Sequence, residues 1–154
     1  MPFINKTRKF VFIGNARCGS TSMYAQLGHT FSHDEVLNHG IGTKPQIYHM
    51  GVKEVIKNYP FTKDYFKFCF VRNPWSRVLS FYREFKKPTH HVWSHPILEY
   101  SNFQDFCLDF NNCSLKDDIH FLPTTNQIMI DGELGVNFVG RFENMAQDYT
   151  KAMN

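Results

Sequence analysis

The chain has 154 residues, of which 42% are hydrophobic and 16 are phenylalanine, so it is long and apolar enough for one domain with a sizeable core. Its formal net charge of +3 is too small for a protein that coats nucleic acid, and it suits small anionic ligands. No segment is apolar for long enough to serve as a signal peptide or a membrane span. We therefore expect a single domain over residues 1–154 in a soluble, cytoplasmic protein, with no nucleic acid partner.

The first half of the chain predicts two buried strands with helices between them. Lys9 to Ile13 is apolar and rich in residues that favour strands, and a helix is expected from Ser20 to Leu27. A short helix over Val52–Tyr59 precedes the second strand, Tyr65–Val71.

The second half continues the alternation of helices and strands. Asn73-Pro74 is typical of a helix cap and first turn, and an apolar stripe extends this helix through Phe85. Ser101 is expected to cap a further helix that runs through Phe110, a third strand covers Val136–Arg141, and a closing helix covers Glu143–Ala152. This order predicts an α/β fold, a parallel sheet with flanking helices, whose ligand site lies at the carboxyl ends of the strands.

The loop between the first strand and its helix, from Gly14 to Gly19, has the composition of an anion site. Small residues let the backbone approach a ligand, and the first amides of a helix, at the positive end of its dipole, lack intrahelical partners. The donors expected here belong to Cys18, Gly19, Ser20, Thr21 and Ser22. Arg17 adds a positive charge. The alternative is a simple turn before a capped helix, with Arg17 in solvent.

A second strand-to-helix transition, within FCFVRNPWSRVLSFYREF, also carries positive charge and a hydroxyl. Arg72 ends the strand, and Ser80 lies about two helical turns further on. Arg77 and Arg83 add charge to the same helix. A plain strand exit with a helix cap would leave these arginines in solvent. Two such transitions, each with an arginine and hydroxyls, instead favour a ligand with two separated phosphate groups.

Three segments, in family order over residues 9–149, resemble the sulfotransferases that use 3′-phosphoadenosine 5′-phosphosulfate (PAPS). NARCGSTS resembles their 5′-phosphosulfate loop, FVRNPWSRVLSFYREF their 3′-phosphate motif, and VNFVGRFENMAQDY a later segment of the carbohydrate-type branch. The resemblance implies a P-loop nucleotide-kinase-like fold, with PAPS as sulfonate donor and adenosine 3′,5′-bisphosphate (PAP) as product. It also implies that no metal ion is needed and that the acceptor is a hydroxyl of a glycan or small molecule, or an amine.

The same resemblance implies a role for each residue that matches a family motif. Ser20, Thr21 and Ser22 would hold the 5′-phosphate together with the loop amides. Arg72 and Ser80 would hold the 3′-phosphate, which distinguishes PAPS from adenylyl sulfate.

Arg17 and Phe142 also match family positions, and the sequence differs from the family pattern at Arg17 and at its C-terminal end. Arg17 would act at the bridging oxygen, where charge develops, although the family usually has lysine there. Phe142 matches an aromatic residue that the family places against adenine, with core packing as the alternative. Family members usually continue beyond the position of Tyr149, so the resemblance implies a minimal or C-terminally short version of the fold.

His49 is the histidine that we expect to act as the catalytic base. It lies 23 residues before Arg72, which resembles the position of a catalytic histidine in the cytosolic branch of the family. The alternative is a histidine of the core or the surface. Glu54 is a weaker candidate for the base, and Lys44 is a candidate to assist at the sulfonate.

A second group of histidines, His90, His91 and His95, lies within KPTHHVWSH. It makes a poor metal site, because no carboxylate or cysteine nearby completes it. We expect either a lid on the acceptor side or a solvated loop.

Three other functions fit parts of the sequence. One is a degenerate module that binds PAPS or PAP without transfer, and another is a non-enzymatic α/β interaction domain. The third is a P-loop nucleotide kinase, which is disfavoured because no Gly-Lys-Ser/Thr closes the loop and no carboxylate is evident for magnesium.

Overall fold

A computed structural model describes residues 2–32, 35–37, 49–87 and 96–154. The chain forms two compact units, the first built from Met1–Arg72 and Pro123–Asn154 and the second from Asn73–Leu122. Each unit has a hydrophobic core of its own. The expectation of one domain over residues 1–154 stays a prediction. The predictions for Lys44 and for His90, His91 and His95 lie outside the described residues.

The described part of the first unit consists of short strands and helices, numbered along the chain. The strands are β1 Pro2–Asn5, β2 Phe10–Ile13, β3 Val36–Leu37, β4 Phe66–Val71, β5 Met129–Ile130, β6 Glu133–Leu134 and β7 Phe138–Arg141. The helices are α1 Ser20–Thr30, α2 Val52–Asn58, α5 Thr125–Ile128 and α6 Met145–Met153. A 3₁₀ turn, Phe142–Asn144, joins β7 to α6.

Five described strands form one sheet in the order β3, β1, β2, β4, β7. β2, β4 and β7 are parallel neighbours, in which Ile13 pairs with Cys69 and Val71 pairs with Arg141. This confirms the predicted parallel arrangement for these three strands. β1 and β3 are antiparallel additions to this parallel part of the sheet, and the sequence did not predict them. β1 and β2 are joined by only a tight turn, and so short a connection permits only antiparallel pairing.

Alternation along the strands gives the sheet an apolar core on each face. One core joins the sheet to α1 and α6 and contains Phe10, Phe12, Phe68, Phe70, Met23, Leu27 and Ala152. The other joins it to α2 and contains Val11, Ile13, Cys69, Val52 and Val55. The predicted flanking helices are therefore present on both faces of the sheet.

The second unit contains α3 Pro74–Phe85 and α4 Phe103–Asp109, with 3₁₀ turns at Pro96–Glu99 and Ser114–Asp117. Its core is aromatic and includes Phe81, Tyr82 and Phe106. Asn102 caps α4 by accepting a hydrogen bond from the backbone N–H of Asp105, so the cap lies one residue later than the predicted cap at Ser101.

Arg77 is buried inside the second unit, with 7% of its surface exposed. Its guanidinium donates to the backbone carbonyls of His120, at 2.7 Å, and Leu122, at 3.0 Å. Arg77 therefore ties the chain at residues 120–122 to α3. The sequence had suggested either added charge near the ligand or a solvated arginine.

Candidate functional site

The loop after β2 turns sharply before it enters α1. Arg17 and Gly19 both adopt left-handed conformations, with φ of 60° and 79°, and α1 begins directly after Gly19. Within the described helix α1, the first turn carries no acidic residue. Its first amides, including those of Ser20, Thr21 and Ser22, have no intrahelical partner in any α-helix. This end of α1 is therefore suited to an anion.

Two glycines let the loop approach its neighbours closely. A Cβ on Gly19 would lie 2.2 Å from Cε of Met145 and 3.0 Å from the ring of Phe142. A Cβ on Gly14 would lie 2.0 Å from the hydroxyl of Tyr24. The loop is thus packed tightly against α1 and the segment after β7.

Hydrogen bonds hold the buried side of the loop, and the neighbouring thiol of Cys69 in β4 is neutral. Nδ2 of Asn15 donates to the carbonyl of Phe70 at 2.8 Å, which joins the loop to β4. The Cys18 amide donates to the carbonyl of Asn15 at 3.3 Å, so this predicted anion donor takes part in the turn itself. Burial raises the pKa of the Cys69 thiol to about 12, which keeps it neutral.

Arg72 lies at the end of β4, next to the loop. Its Cζ is 4.2 Å from the centroid of the Phe142 ring, a cation–π distance. Its Nη1 lies 3.4 Å from the carbonyl oxygen of Arg17. Its Nε is buried, and among the described residues it has no hydrogen-bond partner. A buried N–H without an acceptor is costly, so the Nε of Arg72 is an unmet donor among the described residues.

Ser80, the predicted partner of Arg72, lies in α3 of the second unit and is partly buried. The pairing of Ser80 with Arg72 stays a prediction.

His49 contacts the start of the loop. Its Nδ1 lies 3.2 Å from the carbonyl oxygen of Gly14. Because a carbonyl oxygen only accepts, Nδ1 carries the hydrogen, and Nε2 of the neutral ring carries the lone pair. This is the tautomer that a general base needs.

Glu54 is occupied in a different way. One of its carboxylate oxygens accepts from the backbone N–H of Gly51 at 3.1 Å, so Glu54 supports the first turn of α2. The assignment of His49 or Glu54 as the base stays a prediction.

A family model described as the sulfotransferase family matches residues 2–154. The chain belongs to the sulfotransferase family. This confirms the resemblance seen in the three motifs and indicates a transferase of sulfonate groups. No curated protein and no solved structure matches the chain.

Two contacts made by histidines were not predicted from the sequence. Nε2 of Gln127 donates to the backbone carbonyl of His49 at 3.2 Å, and its buried Oε1 lacks a partner among the described residues. In the second unit, Asp118 Oδ1 lies 2.6 Å from Nδ1 of His120. The Asp-x-His spacing was a usable signal for the second contact, whereas nothing local marks Gln127.

The described residues show neither a metal cluster nor a membrane helix. Within the described ranges, no group of three or more His, Cys, Asp or Glu side chains is arranged to hold a metal ion. None of the described helices is long and apolar enough to cross a bilayer.

A groove of about 660 Å³ in the first unit lies away from the loop. Its lining includes Phe10 and Phe66, the amino-terminal residues of β2 and β4, whereas Arg17 and Arg72 follow the carboxyl ends of these strands. The groove is therefore at the opposite edge of the sheet from the candidate site.

Proposed function

We propose that the chain transfers the sulfonate group of PAPS to an acceptor hydroxyl, with a glycan as the favoured acceptor and an amine as the alternative. The observation that carries this proposal is Arg72. Its guanidinium lies beside the loop, within 3.4 Å of the Arg17 carbonyl, and its buried Nε has no partner among the described residues. A 3′-phosphate would supply that partner while the 5′-phosphate occupied the loop.

The two halves of this site would bind their phosphates by different means. At the loop, the first amides of α1 and the hydroxyls of Ser20, Thr21 and Ser22 would donate to the 5′-phosphate, supported by the helix dipole. At the end of β4, the fixed positive charge of Arg72, with Ser80 as its predicted partner, would bind the 3′-phosphate through charge-assisted hydrogen bonds. The donors fit PAPS better than they fit a nucleotide that lacks the 3′-phosphate.

The loop also explains how the chain would assist the reaction. Bound PAPS supplies an activated sulfonate whose departure leaves negative charge on a phosphate oxygen. The Arg17 guanidinium and the first amides of α1 would stabilise that charge, which is greatest in the transition state. Arg17 replaces the usual lysine with a planar fork, so it can donate two hydrogen bonds where an ammonium acts as a point charge.

His49 would accept the proton of the acceptor hydroxyl at Nε2. The Gly14 carbonyl fixes the tautomer through Nδ1 at 3.2 Å, and Gln127 holds the backbone of His49. Gly14 opens the same loop that would bind the 5′-phosphate, so the base and the donor site share one support.

Ligand affinities of the wild-type protein test the phosphate assignments. We expect PAP to bind without magnesium and about tenfold or more tightly than adenosine 5′-phosphate (AMP), because a charge-assisted hydrogen bond contributes about 1.5–3 kcal/mol. Arg72→Lys should remove most of this preference. The matched control is Arg8→Lys, at the groove on the opposite edge, which should keep it. Equal affinity for AMP and PAP in the wild type would overturn the proposal.

Transfer of labelled sulfonate from PAPS to a panel of sugars, phenols and amines tests the catalytic part. His49→Ala should lower transfer by about 100-fold or more while PAP affinity changes little, and His120→Ala is the matched histidine control. Binding of PAP without transfer to any acceptor would favour the degenerate module. A glycan acceptor and a cytoplasmic location stay predictions.

A further inference from the structure

The ring of Phe142 touches both halves of the proposed cofactor site. Its centroid lies 4.2 Å from Cζ of Arg72. At the ring edge, Gly19 approaches so closely that an added Cβ would come within 3.0 Å of Cδ2. The ring therefore links the end of β4 to the residue that directly precedes α1.

This contact follows from the sheet register. Val71 and Arg141 are paired neighbours on β4 and β7, so the residues that follow them, Arg72 and Phe142, leave the sheet side by side. Both residues belong to the first unit. The position of the ring beside the guanidinium is thus set by the strand pairing.

Phe142 is also the firmest described support of Arg72. The other described contact of the guanidinium, between Nη1 and the Arg17 carbonyl, is long for a hydrogen bond at 3.4 Å. Nε has no partner among the described residues. An arginine side chain has many rotamers, and a planar guanidinium stacks well on an aromatic face. Without the ring, Arg72 would lose the contact that orients its fork.

We propose that Phe142 is a positioning residue for recognition of the 3′-phosphate, and that it acts by holding Arg72 in place against the loop. This rests on the proposed function. It gives Phe142 a role other than the predicted packing against adenine. A residue that positions Arg72 affects only ligands that carry a 3′-phosphate, whereas a contact with adenine affects every ligand that carries the base.

Three ligands separate these roles in calorimetric titrations of the wild type and Phe142→Met. PAP has both the base and the 3′-phosphate, AMP lacks the 3′-phosphate, and uridine 3′,5′-bisphosphate lacks adenine. For Phe142→Met we expect PAP and uridine 3′,5′-bisphosphate each to bind about tenfold more weakly, as loss of a partly buried cation–π contact implies. AMP affinity should change by less than about twofold. Comparable losses for PAP and AMP, with uridine 3′,5′-bisphosphate unaffected, would show the adenine contact instead.

Further variants make the result specific to the ring. Phe142→Trp keeps an aromatic face and should retain the preference for PAP over AMP, and Phe142→Leu repeats the test should the methionine variant be unstable. Phe61→Met, at an exposed phenylalanine of the first unit, is the matched control and should bind all three ligands as the wild type does. In an Arg72→Ala background, Phe142→Met should cause no further loss of PAP affinity, because the two residues act as one unit.

The outcomes also separate this inference from the proposed function. A wild-type protein that binds PAP no better than AMP overturns both. A wild-type protein with the preference, combined with a Phe142→Met variant that retains it in full, overturns the positioning role alone.

Discussion

The helices α1 and α3 both follow a strand of the sheet in the sequence, but they begin in opposite ways. α1 begins after Gly19, which has no side chain to cap it, and its described first turn has no acidic residue. α3 begins with Pro74, which has no N–H, and the Asn73 side chain accepts hydrogen bonds from the amides of Trp75 and Ser76. The first donors of α1 thus lack a capping side chain, whereas those of α3 are satisfied by the chain itself.

The helix after β7, α6, begins in a third way. α6 has an acidic residue in its first turn, Asp148, and this carboxylate accepts the backbone N–H of Arg141 at 2.9 Å. A negative charge at this place would repel an anion. Of these three helix starts, only that of α1 has the electrostatic character of an anion site. The positive charge at the end of β4 therefore comes from the side chain of Arg72 rather than from a helix dipole.

The largest effect is expected for Gly19→Ala, which tests whether the start of α1 depends on glycine. Alanine at φ 79° is strained, and its Cβ would lie 2.2 Å from Met145 and 3.0 Å from Phe142. We expect the free energy of unfolding, measured by urea denaturation, to fall by about 2–4 kcal/mol. Gly28→Ala is the matched control: nothing lies within 4 Å of its Cβ, and alanine inside α1 should stabilise by about 0.5–1 kcal/mol. Similar losses for both variants would contradict the special role of Gly19.

Thr21→Asp converts the start of α1 to the acidic type seen in α6. The carboxylate should stabilise the helix by about 0.3–1 kcal/mol through its dipole. It should also weaken PAP binding by about 2 kcal/mol through repulsion of the phosphate. Calorimetric titration and urea denaturation measure the two effects, which have opposite signs. Thr21→Asn has the same shape without the charge and should change affinity much less. Unchanged PAP affinity in Thr21→Asp would exclude the start of α1 as the phosphate site.

The parts of the site that depend on local sequence were predictable. Gly14 to Gly19 between an apolar strand and a helix indicated the loop, and Asn73-Pro74 indicated the start of α3. Each of these features depends on residues within a few positions of one another, for which backbone preferences and capping are decisive.

The parts that depend on strand register were not predictable. The stacking of Arg72 on Phe142 requires the pairing of Val71 with Arg141, and Gln127 reaches His49 across 78 positions of sequence. Likewise, nothing in the apolar pattern showed that β1 would pair with β2 as an antiparallel strand. Such contacts are determined by tertiary packing, which a single sequence does not display.

Asn73→Ala tests the capped start of α3 and should have an intermediate effect. Its side chain accepts from two amides, at 3.1 Å from Trp75 and 3.2 Å from Ser76. Loss of such a cap should destabilise the protein by about 1 kcal/mol, while Asn73→Ser, which keeps an acceptor, should retain most of the stability. PAP affinity should stay within about twofold of the wild type in both variants. A large loss of PAP affinity would mean that the start of α3 also serves the ligand.

Asp148→Asn tests the acidic start of α6 and should have the smallest effect near neutral pH, because asparagine keeps the acceptor for Arg141. The Arg141 backbone N–H, and then the Lys151 ammonium at 2.9 Å, hold the pKa of Asp148 below its usual value. A carboxyl whose pKa is lower in the folded state stabilises the protein above its unfolded pKa of about 3.9. This contribution is lost as the pH falls through the folded pKa.

Urea denaturation from pH 7 to pH 2.5 should therefore show a smaller acid-induced loss for Asp148→Asn than for the wild type. Lys151→Met removes only the second cause and should give an intermediate curve. If all three proteins lose stability in parallel, the carboxylate does not hold the turn at Arg141, which directly precedes Phe142, by its charge.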